Sequence, residues 1–162
     1  MNTNGFTLSW RFDAPRDRVF RAWTDPEHLG WFFNDEQPAP EEPIEVDLRV
    51  GGAWRQMMVY SPEDRKYAGG VYREIVQDEV LEFVFGAVGG WPDLTGELIE
   101  QAPVVRIEFA DAEDGGTLLT LRTELRGEGD PAELRDLLAA MQAGWTQTVE
   151  RLAVELGGVP VA

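Results

Sequence analysis

The residue types that most often carry protein chemistry are scarce in this sequence. Among its 162 residues there is no cysteine, and His28 is the single histidine. Thiol chemistry and disulfides are therefore excluded, and one imidazole cannot build a zinc site of the ordinary Cys/His kind. We interpret His28, in a predicted short helix, as a solvated residue, with a general base as the alternative. We expect neither a metal nor a cofactor.

Two other motifs imitate catalytic ones. A serine triad would need His28 as its base, and Ser9 and Ser61 lie in a predicted strand and turn, without the glycine-flanked elbow that exposes a nucleophile. Residues 127–132 (GEGDPA) imitate a dinucleotide-binding loop, but their carboxylates would face the pyrophosphate, and too few residues follow for a second nucleotide-binding half. We interpret this segment as a linker and helix cap.

Glu74 is the acidic residue that we single out from the 30 in the chain. If Gly70, Tyr72 and Glu74 share the inward parity of one strand, the carboxylate lies beneath the terminal helix, where an unpaired charge is costly. Arg55 or Arg106 pairs with it only if the strand parities agree. Three alternatives follow: an outward or salt-bridged Glu74, a polar contact to a ligand, or an acid–base catalyst.

Aromatic side chains give a further signal, because the chain holds six tryptophans and eight phenylalanines. Most of them are explained by core packing, but large rigid rings can also hold a cavity open. Trp31, Phe32 and Trp91 flank two irregular stretches, where a cavity would have its mouth. The predicted ligand-binding residues are Trp31, Phe32, Trp54, Arg55, Met58, Tyr72, Glu74, Phe83, Phe85, Trp91, Phe109, Met141 and Trp145.

The elements that position these residues follow from the hydropathy pattern. Alternation over residues 6–12 predicts a strand, and two short helices follow it, each with a proline at its first turn. Six further alternating segments, joined by glycine-rich or polar turns, predict an antiparallel meander. Asp130-Pro131 begins an amphipathic helix that ends at Gly157-Gly158. The fold class is therefore α+β, with a curved antiparallel sheet of about seven strands wrapped around a long C-terminal helix.

Charge and length restrict the range of functions. The formal net charge of −16 makes nucleic acid an improbable partner, because such partners require a basic surface. The sequence holds no run of about 18 apolar residues and no leader at its amino terminus, so we expect a cytoplasmic protein without membrane insertion. Residues 1–162 fit one domain. The negative charge also favours neutral or cationic ligands over anions.

Several short motifs follow one another along the chain. They are 10–15 (WRFDAP), 24–26 (TDP), 31–32 (WF), 47–52 (DLRVGG), 69–70 (GG), 115–121 (GGTLLTL) and 144–145 (GW). Together they resemble the START-like superfamily, and within it the branch named for the activator of the heat-shock protein 90 ATPase. The resemblance covers about residues 6–156. It implies a helix-grip fold with an apolar cavity. The family often has an inward histidine where this chain has Thr123, which argues against imidazole chemistry.

Three functions follow from these observations, in descending order. The first is non-covalent binding of a small hydrophobic or aromatic molecule between the sheet and the terminal helix, with Glu74, Tyr72 and Arg55 as polar contacts. The second is a protein interaction module resembling a chaperone-activator domain in the stress response, with a chaperone or a second copy as partner. The third is a cyclase-like enzyme, for which only Glu74 and tyrosines offer acid–base groups.

Overall fold

The computed structural model describes residues 5–28, 44–88, 103–125 and 130–161. The strands within these ranges are β1 (Gly5–Phe12), β2 (Glu45–Val46), β3 (Ala53–Ser61), β4 (Asp64–Val76), β5 (Val80–Val88), β6 (Val104–Asp111), β7 (Thr117–Glu124) and β8 (Gly158–Pro160). The helices are α1 (Arg16–Thr24), a 3₁₀ turn (Pro26–His28) and α2 (Pro131–Leu156).

The strands form one curved antiparallel sheet in the order β2-β3-β4-β5-β6-β7-β1-β8. The predicted α+β class and helix-grip architecture are confirmed. The sheet has one strand more than the seven predicted, because the three residues of β8 pair with β1 after the chain leaves α2. The second predicted helix lies partly outside the described residues, and its described part is the 3₁₀ turn.

Alternation of side chains gives the sheet two different faces. On β6 and β7, Val105, Ile107, Leu119 and Leu121 are fully buried, while the residues between them are more exposed. The register extends this inner face across the sheet, since Tyr72 lies opposite Phe83, Phe83 opposite Val105, and Val105 opposite Thr123. These cross-strand neighbours form the apolar surface that the helices cover.

Helix α2 has a well-defined cap at each end. The carboxylate of Asp130 accepts hydrogen bonds from the backbone N–H groups of Ala132 and Glu133, and Pro131 occupies the first turn. Gly157 ends the helix with φ of 73°, a left-handed conformation that glycine adopts at little cost. The chain then turns directly into β8, so the C-terminal end of α2 is fixed beside β1.

Helix α1 packs against the sheet and against α2. Its buried side chains include Val19, Phe20 and Trp23. The ring of Phe20 meets that of Phe109 edge to face at 5.4 Å, and Trp23 stacks on Trp145 of α2 at 6.1 Å. The first helix, the sheet and the last helix therefore share one core. Neither of the described helices is long and apolar enough to cross a membrane.

Gly70 on β4 allows a close approach that any larger residue would prevent. A Cβ at this position would lie against the carbonyl oxygen of Val84 and 2.9 Å from Cδ2 of Phe83. We expect Gly70→Ala to lower the free energy of unfolding by about 1–3 kcal/mol, as other overpacked cores do. Urea unfolding followed by tryptophan fluorescence measures the change.

Gly144 in the middle of α2 supplies the matched control, because a Cβ there meets nothing within 4 Å. Gly144→Ala should raise the stability by up to about 1 kcal/mol through helix propensity alone. Equal effects of the two substitutions would contradict this packing of β4 against β5.

Candidate functional site

The inner face of β3 to β5 forms an aromatic wall beneath α2. Trp54 meets Phe83 at 5.1 Å between ring centroids and Phe85 at 5.9 Å. Trp145 of α2 packs on Phe85 at 5.1 Å. The ring of Tyr72 lies edge to face with Phe83 at 6.3 Å. The structure therefore brings together five of the predicted site residues at one place.

Burial along α2 is uneven, although its apolar stripe is continuous. Trp145, Val149 and Leu152 are buried. One and two turns before Trp145, on the same side of the helix, Met141 and Leu138 are only half-buried. The backbone of α2 approaches the sheet at β1 and β8, near its C-terminal end. The N-terminal half of the stripe therefore keeps accessible apolar surface, as does Phe85 on the wall.

Three of the uncharged polar side chains buried on the same inner face have no hydrogen-bond partner among the described residues. They are Gln56 at 0% exposure, Thr123 at 1% and Tyr72 at 2%. In the part of the chain that the structure describes, the amide of Gln56 and the hydroxyls of Tyr72 and Thr123 have no hydrogen-bond partner. Each such group costs about 1–3 kcal/mol when it stays unpaired, so they mark a place where a polar partner would be favourable.

Burial has a second effect on Tyr72. Desolvation of the phenolate raises the pKa of this residue above its ordinary value, and the negative charge of Asp47 raises it further. The hydroxyl therefore keeps its proton throughout the physiological range and can donate a hydrogen bond.

Glu74 does not share the inward parity that alternation predicts. A β-bulge between Tyr72 and Glu74 shifts the register of β4 against β5, which turns the carboxylate to the outer face. There Glu74 accepts a hydrogen bond of 2.6 Å from Arg106, whose guanidinium also approaches Glu82 at 3.4 Å. These carboxylates raise the pKa of Arg106. Of the three alternatives for Glu74, the outward, salt-bridged one is therefore observed.

Arg55 also lies away from the aromatic wall. It follows Trp54 on β3 and so points to the opposite face, where its Nε is 3.6 Å from the carboxylate of Glu45 on the neighbouring strand. Phe109 is a core residue against α1, with 4% of its surface exposed. Neither position supports contact with a ligand beneath the N-terminal half of α2.

Four of the predicted side chains lie outside the described part of the chain. Trp31, Phe32 and Trp91 lie outside the described residues, and so does the side chain of Met58. Gln56, by contrast, was not among the predicted site residues. Gln56 follows Trp54 by two positions on the same strand, so the two side chains point to the same face of the sheet. This spacing could have identified Gln56 from the sequence.

Comparison with known proteins places the architecture in a family. The family model described as Activator of Hsp90 ATPase homolog 1-like protein matches residues 13–157. No curated protein matches the chain.

Solved structures resemble the fold over nearly the whole chain. A protein from Mycobacterium smegmatis is 18% identical with a TM-score of 0.72, over 95% of this chain and 91% of that one. A protein from Chromobacterium violaceum is 25% identical with a TM-score of 0.67, over 94% and 97%. A structure titled as an HSP90 activator from Plasmodium falciparum is 21% identical with a TM-score of 0.68, over 97% and 99%.

The buried phenol of Tyr72 predicts a particular response to alkaline pH. In the unfolded chain a tyrosine ionises near pH 10, whereas the raised pKa keeps Tyr72 protonated in the folded protein. Its contribution to stability is therefore complete below pH 10 and is lost as the pH rises beyond it. We expect Tyr72→Phe to lose stability less steeply than the original protein between about pH 10 and 11.5.

Urea unfolding at a series of pH values gives the slope of unfolding free energy against pH for the original protein and for Tyr72→Phe. The contributions of all other titrating groups cancel in the difference between the two slopes. Parallel slopes would show that Tyr72 is not buried as a neutral phenol.

Proposed function

Because the chain belongs to the Activator of Hsp90 ATPase homolog 1-like family, within the START-like superfamily, we propose that it binds a small hydrophobic or aromatic molecule. Binding is non-covalent and takes place between the sheet and the N-terminal half of α2. Trp54, Tyr72, Phe83, Phe85, Met141 and Trp145 are the described residues proposed to contact the molecule. Trp31, Phe32, Trp91 and Met58 stay predictions for the same site.

The uneven burial of the α2 stripe is the observation that carries this proposal. The C-terminal half of the stripe is closed against the core, whereas Leu138 and Met141 keep accessible apolar surface on the same side of the helix. Apolar area removed from water contributes about 25 cal/mol per Å². A molecule seated between these side chains and Phe85 would therefore gain affinity without any charged contact.

The side of the sheet on which each residue lies changes which residues are proposed for polar recognition. Glu74 and Arg55 lie on the outer face, each beside an opposite charge, so they are withdrawn as ligand contacts. Tyr72 is retained, since it lies on the inner face beside Phe83. The net charge of −16 disfavours anionic ligands near this surface.

A carboxylate placed on the half-buried stripe tests the proposed site. We expect Leu138→Asp and Met141→Asp each to weaken binding of the neutral dye Nile red about tenfold, because a charged group would have to be desolvated by the bound dye. Fluorescence titration measures the affinity. Val154→Asp is the control, since Val154 lies on the same helix and is 88% exposed.

The proposal is rejected if the original protein does not bind the dye, or if all three variants give its isotherm. Native mass spectrometry of the freshly purified protein, which detects a co-purified molecule, gives an independent measurement.

A second candidate function is regulation of a chaperone in the cytoplasm, as part of a stress response. The family description and the Plasmodium falciparum structure titled as an HSP90 activator favour it. Association would use the acidic surface, and a charge of −16 makes such contacts sensitive to salt.

This candidate predicts that the protein raises the ATPase rate of a purified HSP90 chaperone at low salt, and that the increase shrinks at about 0.5 M salt as screening shortens the range of the charges. An equally acidic protein of unrelated fold is the control. An unchanged ATPase rate at every salt concentration would eliminate the candidate.

A further inference from the structure

Gln56, Tyr72 and Thr123 show what kind of molecule the inner face would accept. All three are at least 98% buried, and their polar atoms have no hydrogen-bond partner within the described residues. Buried polar groups in native proteins are almost always paired, so three unpaired groups on one face call for an explanation. Together they offer hydroxyl and amide donors as well as hydroxyl and carbonyl acceptors.

The register spaces these groups apart rather than clustering them. Tyr72 and Thr123 share one cross-strand row, three strands from each other, which is roughly 14 Å between their Cα atoms. Gln56 lies opposite Ala68 on β4. Ala68 precedes Tyr72 by four residues on this strand, which separates their Cα atoms by about 13 Å. The aromatic rings of Trp54 and Phe85 lie in the row between Gln56 and the other two.

The described part of this surface has no buried ionisable side chain other than Tyr72. Among the described residues, the buried polar side chains other than Tyr72 are Thr24, Gln56, Thr117 and Thr123, and none of them ionises. An ionised ligand group placed beside them would lose its hydration without gaining a counter-charge, which is strongly unfavourable. A neutral hydroxyl, carbonyl or amide of a ligand could instead form hydrogen bonds with the unpaired groups.

We infer that the ligand is uncharged, contains more than one ring, and carries hydrogen-bonding groups at opposite ends of an apolar centre. This inference rests on the proposed function and specifies the ligand class of the same site. The apolar centre packs on Trp54 and Phe85, and the polar ends pair with Gln56 and with Tyr72 or Thr123. Because these polar atoms are shielded from solvent, Phe85, half-buried between their rows, moves to admit the ligand.

Thr117 provides a matched control on the same strand and face as Thr123. Both side chains are at least 99% buried, but the hydroxyl of Thr117 donates a hydrogen bond of 2.7 Å to the carbonyl of Ala14. Replacing Thr117 by valine removes a made hydrogen bond, whereas replacing Thr123 removes only an unpaired group. The two substitutions are chemically identical and should have opposite consequences.

Three naphthalene probes distinguish the contributions of polar groups and of charge to binding. They are 2,6-dihydroxynaphthalene, which is neutral at pH 7 with polar groups at both ends, unsubstituted naphthalene, and naphthalene-2,6-dicarboxylate, which is doubly charged. We expect the full chain to bind the dihydroxy compound at least tenfold more tightly than naphthalene and not to bind the dicarboxylate measurably. Fluorescence titration gives the three affinities.

The variants then assign the preference to residues. Gln56→Leu should lower the affinity for the dihydroxy compound, and so should Tyr72→Phe or Thr123→Val, whichever residue pairs with the second polar end. The affinity for naphthalene should stay unchanged in each variant. At the same time the urea midpoint of the ligand-free variants should stay equal or rise. Thr117→Val should lower the midpoint and leave the preference intact. Gln56→Met replaces Gln56→Leu if the latter does not fold.

Equal affinity for the dihydroxy compound and naphthalene in the original protein would overturn the inference, as would an unchanged preference in all three variants. Binding of the dicarboxylate would also overturn it. These results leave the proposed function standing as long as Nile red binds and Leu138→Asp weakens it. Failure of the dye to bind removes both.

Discussion

Everything in this fold depends on how one helix covers the inner face of one sheet. The sheet presents a wide surface of buried rings, and α2 is the long helix that crosses it. The packing of Trp145 between Trp23 and Phe85 fixes where the helix meets that surface. From this point to Ala153 the side of the helix that faces the sheet is buried, and before this point no residue of the helix is buried. The candidate site lies where α2 does not fully cover the inner face of the sheet.

The pattern of residues was sufficient to predict the architecture. Alternation over residues 6–12 and 104–111 gives strands, and Asp130-Pro131 with Gly157 gives the bounds of the long helix almost to the residue. The wall of Trp54, Phe83, Phe85 and Trp145 also followed, since strict parity holds where no irregularity intervenes. With Tyr72, the wall holds five of the thirteen predicted site residues.

Other features could not be read from the pattern. The bulge in β4 reverses the side of Glu74, and bulges depend on the pairing of two strands rather than on the residues of one. Gln56 was missed because an isolated glutamine in a strand is ordinarily solvated, and only the surrounding packing shows that it is buried. The uneven burial of α2 likewise depends on tertiary distances, since its apolar stripe is continuous in sequence.

The position of β8 beside β1 has a consequence for synthesis. The partners of β1 are β7 and β8, so the first strand of the sheet pairs with segments that begin at Thr117 and Gly158. On the ribosome, β1 emerges long before either partner and must wait unpaired while the intervening meander is made. Such distant pairings slow folding, because a long loop has to be closed first. The strand β1 therefore lacks its sheet partners until Thr117–Glu124 has been made.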